Sequence, residues 1–166
     1  MVIWIIGKSG SGKTYLSKHL IKSLKKKNLK KIIWIDGDKF RKRYSKDLGY
    51  SLVDRKKNSK RIQNFCKKYD EKGYLVVCSI LSIFKNHQKI NRKKFSNYFQ
   101  IYIKTDTKIL KFRNNKMIYS KKKNVVGKDI PFPEPYKSNV IIKNDFKKTF
   151  LKNIKKIENK IYAKIL

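Results

Sequence analysis

Acidic side chains are scarce in this sequence: eleven Asp and Glu stand against forty-five Lys and Arg, a formal net charge of +34. An excess of that size ordinarily points to nucleic acid or an anionic surface. Here the lysines are spread through every exposed segment among many Ile and Asn, with no single basic stripe, the pattern of compositional drift. Nucleic-acid binding as the main function is therefore disfavoured, while attraction of anionic nucleotides is expected. Proline (3) and glycine (7) are also sparse, which leaves no material for a flexible linker and argues for one unit over 1–166. The two cysteines, Cys66 and Cys78, have neither metal-ligand spacing nor a framework of pairs, so reduced thiols in a cytoplasmic, soluble protein are expected. Long apolar runs are missing as well. The longest, YLVVCSILSIF, has eleven residues and falls short of the roughly 20 that a bilayer core needs.

What is present is an alternation of short apolar runs with amphipathic ones, the signature of βαβ units and a parallel sheet. VIWII (2–6), KIIWI (31–35), YLVVCS (74–79), FQIYI (99–103) and NVIIK (139–143) read as five strands. Leu16, Leu20 and Leu24 mark one helix, and Ile62, Phe65, Cys66 and Tyr69 another over 54–72. A closing helix over about 146–165 carries Phe146, Phe150, Ile154, Ile157 and Ile161 on one stripe, with Asp145 as its N-cap. The pattern predicts a three-layer α/β/α sandwich with a five-stranded parallel sheet. Ligands of such sheets bind at the carboxyl ends of the strands, so the loops from Gly7, Asp36, Ser79, Lys104 and Asn144 should ring one cleft.

The first strand runs into Gly7-Lys8-Ser9-Gly10-Ser11-Gly12-Lys13-Thr14, which fits G-x-x-x-x-G-K-[ST] between a strand and a helix. Backbone N–H groups of such a loop face phosphate oxygens at the positive end of the following helix. Lys13 would bridge the β- and γ-phosphates of ATP, and Thr14 would offer a hydroxyl to Mg²⁺. The destination of the phosphoryl group is not contained in this motif.

Four of the eleven acids, Asp36, Asp38, Asp47 and Asp54, fall within nineteen positions. Asp36 and Asp38, separated by Gly37 at the end of the second strand, can both turn into the cleft, where a carboxylate orients Mg²⁺ or takes a proton from an acceptor hydroxyl. Asp54 can equally cap its helix, Tyr50 can pack in the core, and Ser79 can make only a local hydrogen bond. His19 and His87 show no partner at catalytic spacing and receive no role.

With these residues the chain resembles the adenylylsulfate kinases. The resemblance runs through S-G-S-G-K-T, D-G-D at 36–38, Arg41, KDLGYS (46–51), DR (54–55), Asn58, Arg61, Ser79 with LSIF (81–84), RNNKMIY (113–119) and GKDIPFPEP (127–135). It implies a P-loop kinase fold and transfer of the ATP γ-phosphoryl to the 3′-hydroxyl of adenylylsulfate, as in sulfate assimilation. It further implies that Asp36, Asp38 and Lys13 are catalytic, with Thr14 and Asp38 at the metal. Arg113 and Lys116 would join the phosphate loop in holding ATP, on a lid of about 113–127. Arg41, Arg55 and Asn58 would hold the acceptor's phosphosulfate and ribose, Tyr50 would stack on its base, and Ser79, Ile80, Leu81 and Phe132 would complete the acceptor set. ATP, Mg²⁺ and a small-molecule nucleotide are the implied ligands, a homodimer is a compatible assembly, and neither membrane nor obligate nucleic acid is implied.

One departure bears on the acceptor. Between Tyr119 and Gly127 stands SKKKNVV, without an aromatic, where the family has a longer loop ending F-T-G whose ring closes on the base. A pyrimidine needs less of a clamp, so the same reaction on cytidine diphosphoramidate is the alternative acceptor reading. A basic nucleotide- or RNA-binding module without turnover is the alternative of another class. Retention of Asp36 and Asp38 with Lys13 and Thr14 weighs against it.

Overall fold

The computed structural model describes residues 1–113, 119 and 123–165. Five strands, β1 (Val2–Ile6), β2 (Ile32–Asp36), β3 (Leu75–Ile80), β4 (Tyr98–Lys104) and β5 (Val140–Lys143), pair in parallel in the order β2-β3-β1-β4-β5. Among the described residues they are joined and flanked by α1 (Lys13–Lys26), α2 (Gly37–Tyr44), α3 (Leu52–Glu71), α4 (Lys85–Lys94), α5 (Thr107–Arg113) and α6 (Lys148–Ile165).

The side-chain period of two divides the apolar residues between two layers. Ile3 and Ile5 of β1 join Leu16, Leu20 and Leu24 of α1 and Phe150, Ile154, Ile157 and Ile161 of α6. Val2, Trp4 and Ile6 face the other way, toward Phe40 of α2 and Ile62 and Cys66 of α3. All five residues of β1 are fully buried, as a central parallel strand covered on both faces requires. Cys66 and Cys78 lie in this second layer as buried free thiols, and burial pushes the Cys78 thiol well up. Register then aligns the strand ends: Asp36 lies opposite Ser79, and Ile6 opposite Ile80. This alignment brings the β1, β2 and β3 loops to one edge.

The element boundaries differ from the sequence expectation in three instructive places. The long helix begins earlier than 54, because Ser51 is its N-cap and accepts from the Asp54 N–H. The last helix begins later than 146: Phe146 turns into the left-handed region at φ 64°, and the Asp145 carboxylate accepts from the Lys147 N–H in that turn rather than capping the helix. Phe146 leaves the predicted stripe and packs beside Leu110, Tyr119 and Val125. Helix α4 is invisible to apolar periodicity because its buried stripe, His87, Gln88 and Asn91, is polar.

Candidate active site

A cleft of about 790 Å³ opens at the carboxyl ends of β1, β2 and β3. Its phosphate-facing wall is the loop before α1. Gly10 (φ 78°) and Gly12 (φ 97°) hold the left-handed conformations this curve needs, and a side chain on Gly12 would also meet Asn144 Nδ2 at 2.8 Å. Asn144, at the end of β5, donates from that nitrogen to Ser11 O (2.9 Å) and accepts from the Phe146 N–H (2.8 Å). It is buried and braces the loop from beneath, a role with no motif to announce it. Lys13 Nζ donates to Gly7 O (2.9 Å) and Lys8 O (2.7 Å). The N-terminus of α1 carries no side-chain cap, which leaves its amides for an anion.

The carboxylates are divided in task. Asp36 is the N-cap of α2: its Oδ1 accepts from the N–H groups of Asp38 and Lys39 (3.1 and 3.2 Å), and its Oδ2 accepts from Thr14 Oγ1 at 3.1 Å. The hydroxyl expected at a metal therefore meets Asp36, whereas Asp38 lines the cleft two residues on. A hydroxyl and one or two carboxylates beside a phosphate loop suit Mg²⁺, which keeps several waters and takes its remaining ligands from substrate phosphates. Among the described residues no cluster of three or more His, Cys, Asp or Glu offers a metal cage of its own.

The far half of the cleft is cationic. The guanidinium carbons of Arg41 and Arg55 lie 5.0 and 5.4 Å from the Tyr50 ring centroid. Tyr50 is 53% exposed, which removes the core-packing reading. Arg41 donates to Gly49 O, and Arg55 donates to Tyr50 O (3.0 Å) and Asn124 O (2.9 Å), so the arginines tie α2, α3 and the 124 loop together. Burial and the neighbouring Arg41 charge lower the Arg55 pKa, while Tyr50 and Asp38 oppose that shift. A like-charged pair fixed in this way is relieved by an anion. Asn58, 8% exposed, has its Oδ1 buried with no hydrogen-bond partner among the described residues. Asp54 Oδ2 accepts a hydrogen bond from the Ser51 hydroxyl at 2.7 Å, so Asp54 holds the N-cap residue in place and does not itself cap the helix. Ser79, Ile80 and Leu81 line the cleft, and Ser79 also accepts from Trp34 Nε1 at 3.2 Å.

Several expected residues lie elsewhere. Phe132 is not part of the cleft wall: it stacks on Tyr102 at 5.9 Å and packs beneath Ile83, Val126 and Ile130. Arg113 also lies off that wall, with its guanidinium 4.2 Å from the Phe146 ring centroid. Lys8 turns to Thr107 Oγ1, and the Ser11 side chain is buried within the loop, so these two contribute backbone to it. Lys104 pairs with Glu134 at 3.3 Å away from the cleft. Lys116 falls outside the described residues. His87, passed over in the sequence, has a partner 28 residues earlier: Ser59 Oγ at 2.8 Å from its Nδ1.

A parallel sheet with this loop, a Thr–Asp pair beside it and a cationic half of the same cleft define a P-loop kinase. The adenylylsulphate kinase family model matches residues 1–143, and the chain belongs to that family. It is similar to the cytidine diphosphoramidate kinase of Campylobacter jejuni (32% identical, covering 96% of this chain and 95% of that protein). It is equally similar to an adenylyl-sulfate kinase of Prochlorococcus marinus (32%, covering 100% and 83%). Its fold matches the Mycobacterium tuberculosis APS kinase CysC solved with AMPPNP and APS, at TM-score 0.83 and 23% identity over 98% of this chain and 95% of that one. The chain is thus a phosphotransferase with an alcohol group as acceptor.

Proposed function

We propose that this kinase transfers the γ-phosphoryl of ATP to the 3′-hydroxyl of a nucleotide bearing an anionic tail, with cytidine diphosphoramidate as its acceptor. The observation that carries the reaction is the placement of Lys13, Thr14, Asp36 and Asp38 in one cleft with the Arg41–Arg55 pair, Tyr50 and Asn58. The loop amides and Lys13 would bind the ATP phosphates, and Lys13 would offset charge on the transferring group. Thr14 and Asp36 would hold Mg²⁺, which when bound supplies charge neutralisation of the phosphate oxygens. Asp38 would orient the 3′-hydroxyl and accept its proton. Arg41 and Arg55 would grip the tail, since a guanidinium fork suits a two-oxygen anion. Tyr50 would stack on the base.

Two observations favour the cytidine acceptor. The C. jejuni relative shares nearly the whole length of both chains, and the segment from Ser120 to Val126 supplies no second ring to oppose Tyr50. Base stacking contributes roughly 1–3 kcal/mol per base, so one absent ring bears hardest on a purine. Adenylylsulfate is the second reading, supported by the family as a whole and by the Prochlorococcus relative. The test is competition: both acceptors at equal concentration with Mg-ATP, products separated by ion-exchange chromatography. Phosphorylated cytidine diphosphoramidate is expected to predominate. Consumption of adenylylsulfate alone would install the second reading, and product from neither would refute both.

A further inference from the structure

Asn58 and Ser59 are consecutive on α3, and both line the acceptor half of the cleft. Among the described residues, Asn58 Oδ1 is a buried acceptor without a donor. Buried polar atoms are ordinarily satisfied, so one left open on a cleft wall points to a group that a ligand brings. Ser59, 6% exposed, is bonded to His87 Nδ1 at 2.8 Å. That contact is held firmly: Gln63 Nε2 donates to His87 O (3.0 Å) and to Asn91 Oδ1 (2.6 Å), and the Phe84 ring lies 5.3 Å from the imidazole. His87 also borders a second groove, about 330 Å³, lined by Lys56 and Lys85.

We propose that Ser59, donating its hydroxyl proton to His87 Nδ1, stands with Asn58 Oδ1 as a two-acceptor recognition element for an amino group of the nucleotide acceptor. This rests on the nucleotide-kinase reading above and adds the chemistry by which the acceptor is chosen. A serine whose only proton is committed to a ring nitrogen turns lone pairs toward the cleft, and two adjacent acceptors match an –NH₂ group. The ring must be neutral to accept that proton. Burial, then the charges of Lys56 and Lys60 on the facing helix, push the His87 pKa down from its ordinary value, in the required direction. The amino group can belong to the base or to a phosphoramidate tail, and the two sources are separable.

The test uses the full chain with Mg-ATP and four acceptors: cytidine diphosphoramidate (amino on base and tail), CDP (base only), uridine diphosphoramidate (tail only) and UDP (neither). Ser59→Ala is expected to lower kcat/KM about tenfold for whichever acceptors carry the recognised amino group. It should leave UDP within about twofold and KM for ATP unchanged, and Ser59→Thr should restore most of the loss. Because the folded His87 pKa lies below the ordinary imidazole value, the wild-type KM for the amino-bearing acceptor should hold through neutral pH and rise as pH falls through that depressed pKa, and His87→Gln should remove that slope. Equal losses on all four acceptors would show a merely structural role and overturn the proposal, as would no loss on any. If none of the four turns over, the kinase reading of these acceptors fails. Calorimetric binding of the same series then decides the recognition element separately, equal affinities for wild type and Ser59→Ala overturning it.

Discussion

At the residue scale the chemistry rests on a division of labour between two carboxylates two positions apart. Asp36 is committed to Thr14 and to the first turn of α2, whereas Asp38 faces the cleft. Asp38→Asn is therefore expected to lower kcat by about 10²–10⁴ with little change in KM for ATP, because it removes proton acceptance and leaves the loop intact. Steady-state kinetics with saturating acceptor checks this, and an unchanged kcat would move the base elsewhere. Arg55→Ala should act on the other substrate. Losing a charge-assisted contact worth about 1.5–3 kcal/mol should raise the acceptor KM tenfold to roughly a hundredfold while KM for ATP holds. An acceptor KM left at the wild-type value would remove Arg55 from the site.

At the element scale, what could be read from the sequence follows from which faces are apolar. The strands, α1 and the body of α3 present apolar residues at regular spacing and were legible. The phosphate loop was legible as well, since its glycines answer to a backbone requirement that the residues themselves display. Helix α4 was not, because it buries His87, Gln88 and Asn91 through hydrogen bonds that close only in three dimensions, and the Ser59–His87 pair was hidden with it. A motif alone points Phe132 and Arg113 to the site, whereas packing holds both off the cleft wall: the ring stacks on Tyr102, and the guanidinium lies on Phe146. Asn144 is placed at the cleft only as a strand end, and nothing in the sequence marks the bond by which it joins β5 to the phosphate loop. Asn144→Ala leaves Ser11 O without this donor, a loss of about 1–3 kcal/mol, and should raise KM for ATP together with a Tm lower by several degrees. Calorimetry and ATP titration on the same sample check the pair; a lower Tm with unchanged ATP affinity would confine Asn144 to stability.

At the scale of the whole molecule, two electrostatic features make separate predictions. Asp70 has a side chain only 1% exposed, bonded to the Met1 ammonium at 2.9 Å and to Ser96 N and Oγ at 3.0 and 2.9 Å. Burial raises its pKa, but these donors outweigh burial and the net shift is downward. A depressed folded pKa means stability that is present above the unfolded value, near 3.9, and lost as pH falls through the folded value. Urea midpoints between pH 3 and 6 should fall on the acid side, and Asp70→Asn should flatten that limb while lowering stability at neutral pH. The net charge of +34 makes a kinetic prediction. Steering of anionic nucleotides is screened over about 8–10 Å at physiological salt, so kcat/KM for both substrates should decline with ionic strength while kcat stays level.

Phosphoryl transfer to a nucleotide hydroxyl is measured most directly as acceptor-dependent ADP release with Mg-ATP, followed in a coupled assay beside chromatographic recovery of the nucleotide product. Slow release without acceptor is expected, with a large stimulation by cytidine diphosphoramidate and one ADP formed for each acceptor phosphorylated. ADP release at the same rate with and without acceptor, or tight nucleotide binding with no release under any acceptor, would contradict that transfer.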